Sequence, residues 1–128
     1  MGFRKRDDLM KSKISEHAHQ ATLVSWFDRV YPKYKGRFFA IPNGEFRHKS
    51  TAIKLKIEGV RKGVPDLFLP VPNEKYNGLF IELKSEQGRA SKEQIEWITF
   101  LESQGYSANI CHGWDFAASI IKNYMEII

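Results

Sequence analysis

The chain has 128 residues, a net charge of +5, 42% hydrophobic residues and 27% charged residues, which is the balance expected of one globular domain. No run approaches the roughly 18 apolar residues that a membrane-spanning helix needs, and the first residues lack the apolar segment of a signal peptide. The single cysteine, Cys111, excludes an internal disulfide and a paired-cysteine metal site. These features predict a protein of a reducing, cytoplasmic compartment.

The positive charge is concentrated in one segment. Residues 33–62 carry nine Lys or Arg against two Glu, whereas residues 63–128 carry five against nine Asp or Glu. A basic segment beside an acidic remainder is typical of a protein that binds a polyanion. The alternative is that these cations only solvate exposed faces, and the charge pattern alone favours neither interpretation.

The first half of the chain predicts a flexible basic arm over residues 1–13, followed by a long helix. Ser15 is the expected N-cap of that helix, and Pro32 helps to end it. Its apolar residues recur at three- and four-residue spacing: Leu23, Val24, Phe27, Val30 and Tyr31. Next come a strand over 38–41, a turn over 42–44 and a helix over 50–57 that stops at Gly59.

The second half predicts a β-hairpin followed by a helix, a strand and a helix. Its hairpin strands are Asp66–Leu69 and Leu79–Lys84. Ser91 to Gln94 match a capping box that begins a helix ending at Gly105. The expected apolar face of that helix consists of Ile95, Ile98 and Leu101. A strand over 107–111 and a helix from 114 to about 124 follow, so residues 14–128 predict a single α/β domain with a mixed central sheet.

Two carboxylates fall within the hairpin strands, where apolar or β-branched residues are usual. A symmetric hairpin that pairs Leu69 with Leu79 also pairs Asp66 with Glu82, with Cβ atoms about 4.5–5.5 Å apart. Carboxylates this close repel each other unless a cation lies between them. Mg²⁺ suits such a position because it binds one or two carboxylates and keeps several waters, and the backbone carbonyl of Leu83 could complete the set.

Lys84 lies on the same strand face as Glu82, two residues further along. There it could orient an attacking water or neutralise charge on a phosphate. The alternative is that Asp66 caps a turn after Pro65 and that Glu82 and Lys84 lie on a solvated face. For any one residue this alternative is the better interpretation, but the combination of all three favours a site.

Other polar residues of the predicted site come from helices. Glu16 and Gln20 continue the apolar stripe of the first helix, and a carboxylate at a core-facing position needs a partner such as a metal. The alternative for Glu16 is an ordinary acid in a first helical turn. Gln94 either bonds only to the capping box or reaches toward the metal site. The histidines show no paired spacing typical of metal ligands, which argues against a zinc site. They are His17, His19, His48 and His112.

Together these residues resemble the PD-(D/E)xK nuclease signature, with Pro65-Asp66 followed by Glu82-Leu83-Lys84. The surrounding residues are similar to the VRR-NUC branch of that superfamily. They comprise G-V-R-K-G-V-P-D-L over 59–67, I-E-L-K over 81–84, and the pattern G-x-x-S-x-x-Q-x-x-W-x-x-x-L over 88–101. The similarity extends from residue 16 to about 113, as expected of the stand-alone form found in phages and bacteria.

The resemblance implies a restriction-endonuclease-like core and cleavage of DNA with Mg²⁺ or Mn²⁺. It implies Asp66 and Glu82 as metal carboxylates, Lys84 as the catalytic lysine and Leu83 as a carbonyl ligand. It also implies Glu16 as the helix-borne acid and Gln94 as the glutamine after the second strand. Small members are similar in arrangement to Holliday-junction resolvases, which implies a homodimer acting on branched or flapped DNA.

The basic segment then predicts phosphate contacts on either side of the cut. The candidates are Arg37, Arg47, Lys49, Lys54, Lys56, Arg61 and Lys62. Arg61 and Lys62 are the strongest of them because they adjoin Asp66. Two other functions remain open at this stage: a non-catalytic nucleic-acid binding module, and an exonuclease or nickase that uses the same site.

Overall fold

The structure is a computed structural model, and it describes residues 14–42 and 49–128. Its elements follow the predicted α-β-α-β-β-α-β-α order, with one 3₁₀ turn at Pro32–Tyr34. The helices are α1 Glu16–Val30, α2 Lys49–Ile57, α3 Lys92–Ser103 and α4 Trp114–Met125; the strands are β1 Phe39–Ala40, β2 Leu67–Leu69, β3 Leu79–Lys84 and β4 Ser107–His112. The predicted arm over 1–13 and most of the turn over 42–44 lie outside the described residues.

The four strands form one mixed sheet in the order β1-β2-β3-β4. β1 and β2 are antiparallel, as are β2 and β3, whereas β4 runs parallel to β3. The hairpin register is the predicted one, with Leu69 opposite Leu79 and Leu67 opposite Ile81. β3 lies between two neighbours and all six of its residues are buried, so any polar group on it is removed from bulk water.

Helices cover both faces of this sheet. Leu79, Ile81 and Leu83 of β3 belong to a core cluster that also contains residues of α1 and α4. Phe80, on the opposite face, packs in a second cluster with Ile98 of α3. The alternation of a strand therefore sends Glu82 and Lys84, which share the face of Phe80, toward the α3 side.

α1 begins where the sequence predicted, since the Ser15 hydroxyl accepts a hydrogen bond from the Ala18 N–H at 3.0 Å. Its buried face differs at one end from the prediction. Val30 was expected in the apolar stripe but is exposed, whereas Trp26 is buried. Val30 is the last residue of α1, where the chain turns away from the sheet, and Trp26 instead packs edge-on against Tyr31.

α3 also carries the predicted N-terminal hydrogen bonds, but its buried face is rotated from the prediction. Ile95 was expected in the core and is 51% exposed, whereas Gln94 is buried with Ile98 and Leu101. Positions 94, 98 and 101 lie on one helix face at four- and three-residue spacing. A glutamine therefore occupies the inward position nearest the candidate site.

The remaining elements differ from the predictions at their ends. β1 is shorter than the predicted 38–41, although Phe38 is buried in the core, and β2 starts at Leu67 rather than Asp66. The C-terminal residues help to close the fold, because the carbonyl of Ile127 accepts a hydrogen bond from the Glu74 N–H at 2.8 Å. None of the described helices is long and apolar enough to cross a membrane.

The loop that leads into Asp66 packs on the first turn of α3 through Gly63. This glycine has a φ of +90°, and a Cβ added to it would lie 2.7 Å from the backbone of Glu93. Gly59, in the same loop, has a φ of +102°, but apart from its chain neighbours no described residue has an atom within 4 Å of a Cβ added to it. Substitutions at these two glycines therefore distinguish the effect of backbone strain at positive φ from the effect of steric contact with α3.

We expect Gly63→Ala to destabilise the protein more than Gly59→Ala. Both variants place a side chain at positive φ, at a cost of about 1–2 kcal/mol. Only Gly63→Ala also forces the loop away from α3, which adds about 1–3 kcal/mol. Urea unfolding of the two variants measures this difference, and equal losses would contradict the close packing.

Candidate active site

The candidate site lies where β2 begins and β3 ends. Asp66 directly precedes β2, and its carboxylate Oδ2 accepts a hydrogen bond from the Leu83 N–H at 2.9 Å. Its carbonyl accepts another from the Ile41 N–H at 2.7 Å. The aspartate is therefore held by both neighbouring segments, beside Glu82 on the adjacent strand, as the hairpin register predicted.

Glu82 is 1% exposed and its two carboxylate oxygens have different surroundings. Oε2 lies 3.5 Å from the Lys84 ammonium and accepts a hydrogen bond from the Gln94 side-chain amide at 3.3 Å. Oε1 is buried and has no hydrogen-bond partner among residues 14–42 and 49–128. A buried acceptor without a partner is costly in an apolar environment, so this carboxyl group requires either a proton, which it can share with Asp66, or a bound cation.

Burial raises the pKa of Glu82 to about 9, and the neighbouring Asp66 carboxylate contributes to the increase. Lys84 acts in the opposite direction but does not offset these two effects. Two adjacent carboxyl groups cannot both ionise readily in a dry site. Without a cation, the pair therefore retains a proton at neutral pH, and a divalent ion would replace it.

Gln94 fulfils both of the roles considered from the sequence. Its Oε1 accepts a hydrogen bond from the Ser91 N–H at 2.8 Å, while the Ser91 hydroxyl accepts from the Gln94 N–H at 3.2 Å. The same side chain donates from Nε2 to Glu82. The capping box thus fixes the amide orientation, so that its donor end points at the glutamate.

The predicted orientation of Glu16 is wrong in one respect. It is exposed rather than core-facing, because it is the first residue of α1. Its carboxylate is nevertheless close to the site: Glu16 Oε1 and Lys84 Cβ each lie 3.4 Å from the position of a Cβ on Gly88. Gln20 is half-buried on the next turn.

The Leu83 carbonyl is oriented toward the side of Asp66. In an antiparallel pair the N–H and C=O of one residue point to the same neighbour, and the Leu83 N–H donates to Asp66. The register, extended by two residues, places Pro65 opposite Leu83. Proline has no N–H to donate, so it cannot pair with this carbonyl.

These groups fit a divalent cation of the Mg²⁺ type, which requires hard oxygen ligands and tolerates an incomplete protein shell. The orphaned Glu82 oxygen and the adjoining Asp66 carboxylate supply the charge. No cluster of three or more His, Cys, Asp or Glu side chains with metal-binding geometry occurs in the described part of the chain. Glu16 therefore lies near the pair without completing a three-carboxylate cluster.

His19 is a buried polar residue that sequence reasoning considered only as a zinc ligand. It is 5% exposed, and its Nδ1 accepts a hydrogen bond from the Trp114 N–H at 3.1 Å. The neutral ring therefore carries its proton on Nε2, which has no partner within the described ranges. The hydrogen bond from Trp114 links His19 of α1 to the start of α4. In the sequence, its i, i+3 spacing from Glu16 places the two residues on the same side of α1, and this spacing could have pointed to His19.

The predicted DNA-contacting residues do not form one surface. Lys49 and Lys56 are about two turns apart on one side of α2, whereas Lys54 projects from about the opposite side. Arg61 donates from Nη1 to the Lys56 carbonyl at 2.9 Å, so part of its guanidinium caps α2. The exposed Lys62 lies 3.9 Å from Glu93; Arg37 is exposed before β1, and Arg47 lies outside the described residues.

The raised pKa of Glu82 predicts how stability depends on pH. Between about pH 4.5 and pH 9 the folded protein keeps a proton that the unfolded chain releases. The free energy of unfolding should therefore fall as pH rises through this range, by up to roughly 1.4 kcal/mol per pH unit. Glu82→Gln keeps the shape and removes the titration.

Urea unfolding of both proteins in EDTA, from pH 5.5 to 8.5, measures the difference between their slopes. Contributions from the histidines cancel in that difference. The same slope in both proteins would contradict a protonated, buried Glu82.

Comparison with known proteins agrees with the predicted resemblance. The family model of the VRR-NUC domain matches residues 45–115, more than half of the chain. One similar solved structure is described as "VRR_NUC domain protein"; it has a TM-score of 0.75 and 30% sequence identity, and the match covers 88% of this chain and 88% of that chain. No curated protein matches. The chain therefore belongs to the VRR-NUC family of nuclease-type domains.

Proposed function

We propose that this protein is a metal-dependent, structure-selective DNA endonuclease that hydrolyses phosphodiester bonds in branched DNA such as Holliday junctions or flaps. The observation that carries the proposal is the buried Glu82 beside the half-buried Asp66, with one Glu82 oxygen that accepts no hydrogen bond from any described residue. A structural role does not require two adjoining acids in the core of a sheet. A cation site does.

The metal would be Mg²⁺ or Mn²⁺, held by the carboxylates of Asp66 and Glu82 and the carbonyl of Leu83. Glu16, at the rim beside Gly88, would bind the ion through water. When bound, such an ion polarises the scissile phosphate and makes a nearby water more acidic. All other steps fall to the side chains of the site.

Lys84 is the candidate catalytic lysine. Its ammonium is buried with its only described carboxylate neighbour, Glu82 Oε2, at 3.5 Å. From this position it would orient the attacking water or neutralise charge that develops on the phosphate. Gln94 acts on the same oxygen through its amide, which keeps the Glu82 carboxylate in one orientation while substrate binds.

The exposed cations supply the affinity for DNA. The candidates are Lys49 and Lys56 on one side of α2, and Arg61 and Lys62, which shortly precede Asp66 in the chain. Arg37, Lys54 and Arg47 belong to the same basic segment. Phosphate contacts fix the position of a duplex without reading its sequence, which supports selectivity for DNA structure.

A homodimer remains part of the proposal, because two sites are needed to cut a four-way junction symmetrically. α2 offers a surface for it. None of the described residues of α2 is buried, and Ile53 and Ile57 on this helix are exposed. The interior location of α4, whose Ala117 and Ile121 are buried, favours a core role for that helix.

Cleavage of labelled four-way junction, flap, single-stranded and linear duplex DNA tests the proposal. We expect junction and flap cleavage with Mg²⁺ or Mn²⁺ and none in EDTA. Asp66→Asn and Lys84→Gln should each lower the rate at least about 100-fold with DNA binding retained. Lys92→Gln, at an exposed lysine of α3, is the matched control and should cut normally.

Four outcomes would contradict the proposal in different ways. Binding without cutting of any substrate would indicate a non-catalytic module. Equal cutting of all four substrates would remove the structural selectivity. Failure to cut a closed circular substrate, with digestion of the same DNA from free ends, would indicate an exonuclease, and single-strand nicks alone would indicate a nickase.

A further inference from the structure

α3 carries an exposed aromatic surface beside the candidate site, which we call the α3 shelf. It is a shallow concavity of about 360 Å³ lined by Lys62, Glu93, Glu96, Trp97 and Phe100. Trp97 and Phe100 meet edge to face, with ring centroids 6.0 Å apart. Phe100 is 54% exposed, so this pair leaves ring surface open to a ligand.

The shelf lies near the carboxylate site at the start of α3. Gly63, three residues before Asp66, packs directly on Glu93, and Gln94 bonds to Glu82. At 1.5 Å of rise per residue, Trp97 and Phe100 lie about 4.5 and 9 Å along the helix from Gln94. That span corresponds to only a few nucleotides of a stacked strand, at about 3.4 Å each.

The charges around the shelf indicate which part of a nucleotide it would accept. Two of its five lining residues are acidic, Glu93 and Glu96, which disfavours a phosphate inside the concavity. Carboxylates accept hydrogen bonds from the amino groups of bases, and aromatic rings stack on base faces. The phosphate would instead lie outside, near the exposed Lys62 and its neighbour Arg61.

We propose that the α3 shelf binds one unpaired nucleobase of the substrate, stacked on Phe100 and Trp97. This inference rests on the proposed function for its substrate class. A base in a paired duplex is not available for stacking on a protein ring, whereas one beside a flap, bulge or branch is. The shelf thus explains why a domain with few sequence-reading elements would select DNA by structure.

Fluorescence anisotropy in EDTA tests the shelf without any requirement for cleavage. The probes are a fluorescein-labelled duplex with one unpaired nucleotide, the same DNA with an abasic site there, and the fully paired duplex. Phe100→Ala should weaken binding of the first probe about 5- to 100-fold and leave the paired duplex unchanged. Phe100→Tyr, which keeps the ring, should restore most of the affinity.

Phe116→Ala is the matched control, because Phe116 is 52% exposed on α4, on the other face of the sheet. It should leave all three affinities unchanged. Wild type should bind the abasic probe as weakly as Phe100→Ala binds the probe with the unpaired nucleotide. Phe100→Ala should bind these two probes with equal affinity. If Phe100→Ala unfolds in a thermal melt, Phe100→Leu takes its place, because it removes the ring but keeps an apolar side chain, and the same selective loss is expected.

The proposal would be overturned if Phe100→Ala weakened paired and unpaired probes equally, or if it still distinguished the abasic probe. It would also fall if wild type sedimented as a dimer and Phe100→Ala as a monomer, since the shelf would then be a subunit contact. Base-sensitive binding in a protein that cuts nothing would support the shelf and contradict the nuclease activity.

Discussion

The site depends on one unfavourable arrangement, the burial of Glu82 directly beside the half-buried Asp66. Burial disfavours the charge on Glu82 and the neighbouring Asp66 carboxylate disfavours it further, so the pKa of Glu82 rises to about 9. The protein provides donors around the pair, from the Leu83 N–H, the Lys84 ammonium and the Gln94 amide. One acceptor, Glu82 Oε1, receives no donor from the described residues, and without a cation the pair retains a proton. A divalent cation would satisfy both acids and this oxygen together.

The fold supports this arrangement through β3, whose alternating residues serve two purposes. Leu79, Ile81 and Leu83 pack against α1 and α4, and that apolar burial fixes the strand. The other face presents Glu82 and Lys84 toward α3. The capping box that begins α3 also orients Gln94, so the hydrogen bonds that start the helix hold a side chain of the site. Packing and chemistry therefore rely on the same strand and on the same helix start.

Much of the site could be predicted because it follows from strand alternation and turn symmetry. The hairpin register, and hence the approach of Asp66 to Glu82, follows from two matched apolar runs. Hydrophobicity alone could not show that Gln94 rather than Ile95 faces inward, because the choice depends on how α3 is rotated against the sheet. The exposure of Glu16 and the burial of His19 depend on where α1 crosses the strand ends. Local residue spacing cannot predict these features, because they depend on how the elements pack against one another in the folded protein.

Calorimetric titration of Mn²⁺ into the protein, in buffers of different ionisation enthalpy, tests the central claim most directly. If the ion replaces the proton shared by Asp66 and Glu82, binding at pH 7 should release about one proton. Affinity should then rise nearly tenfold per pH unit from pH 6 to pH 8. Glu82→Gln should bind more weakly and release none. Equal affinity in both proteins, with no proton released by wild type, would contradict a cation site at this pair.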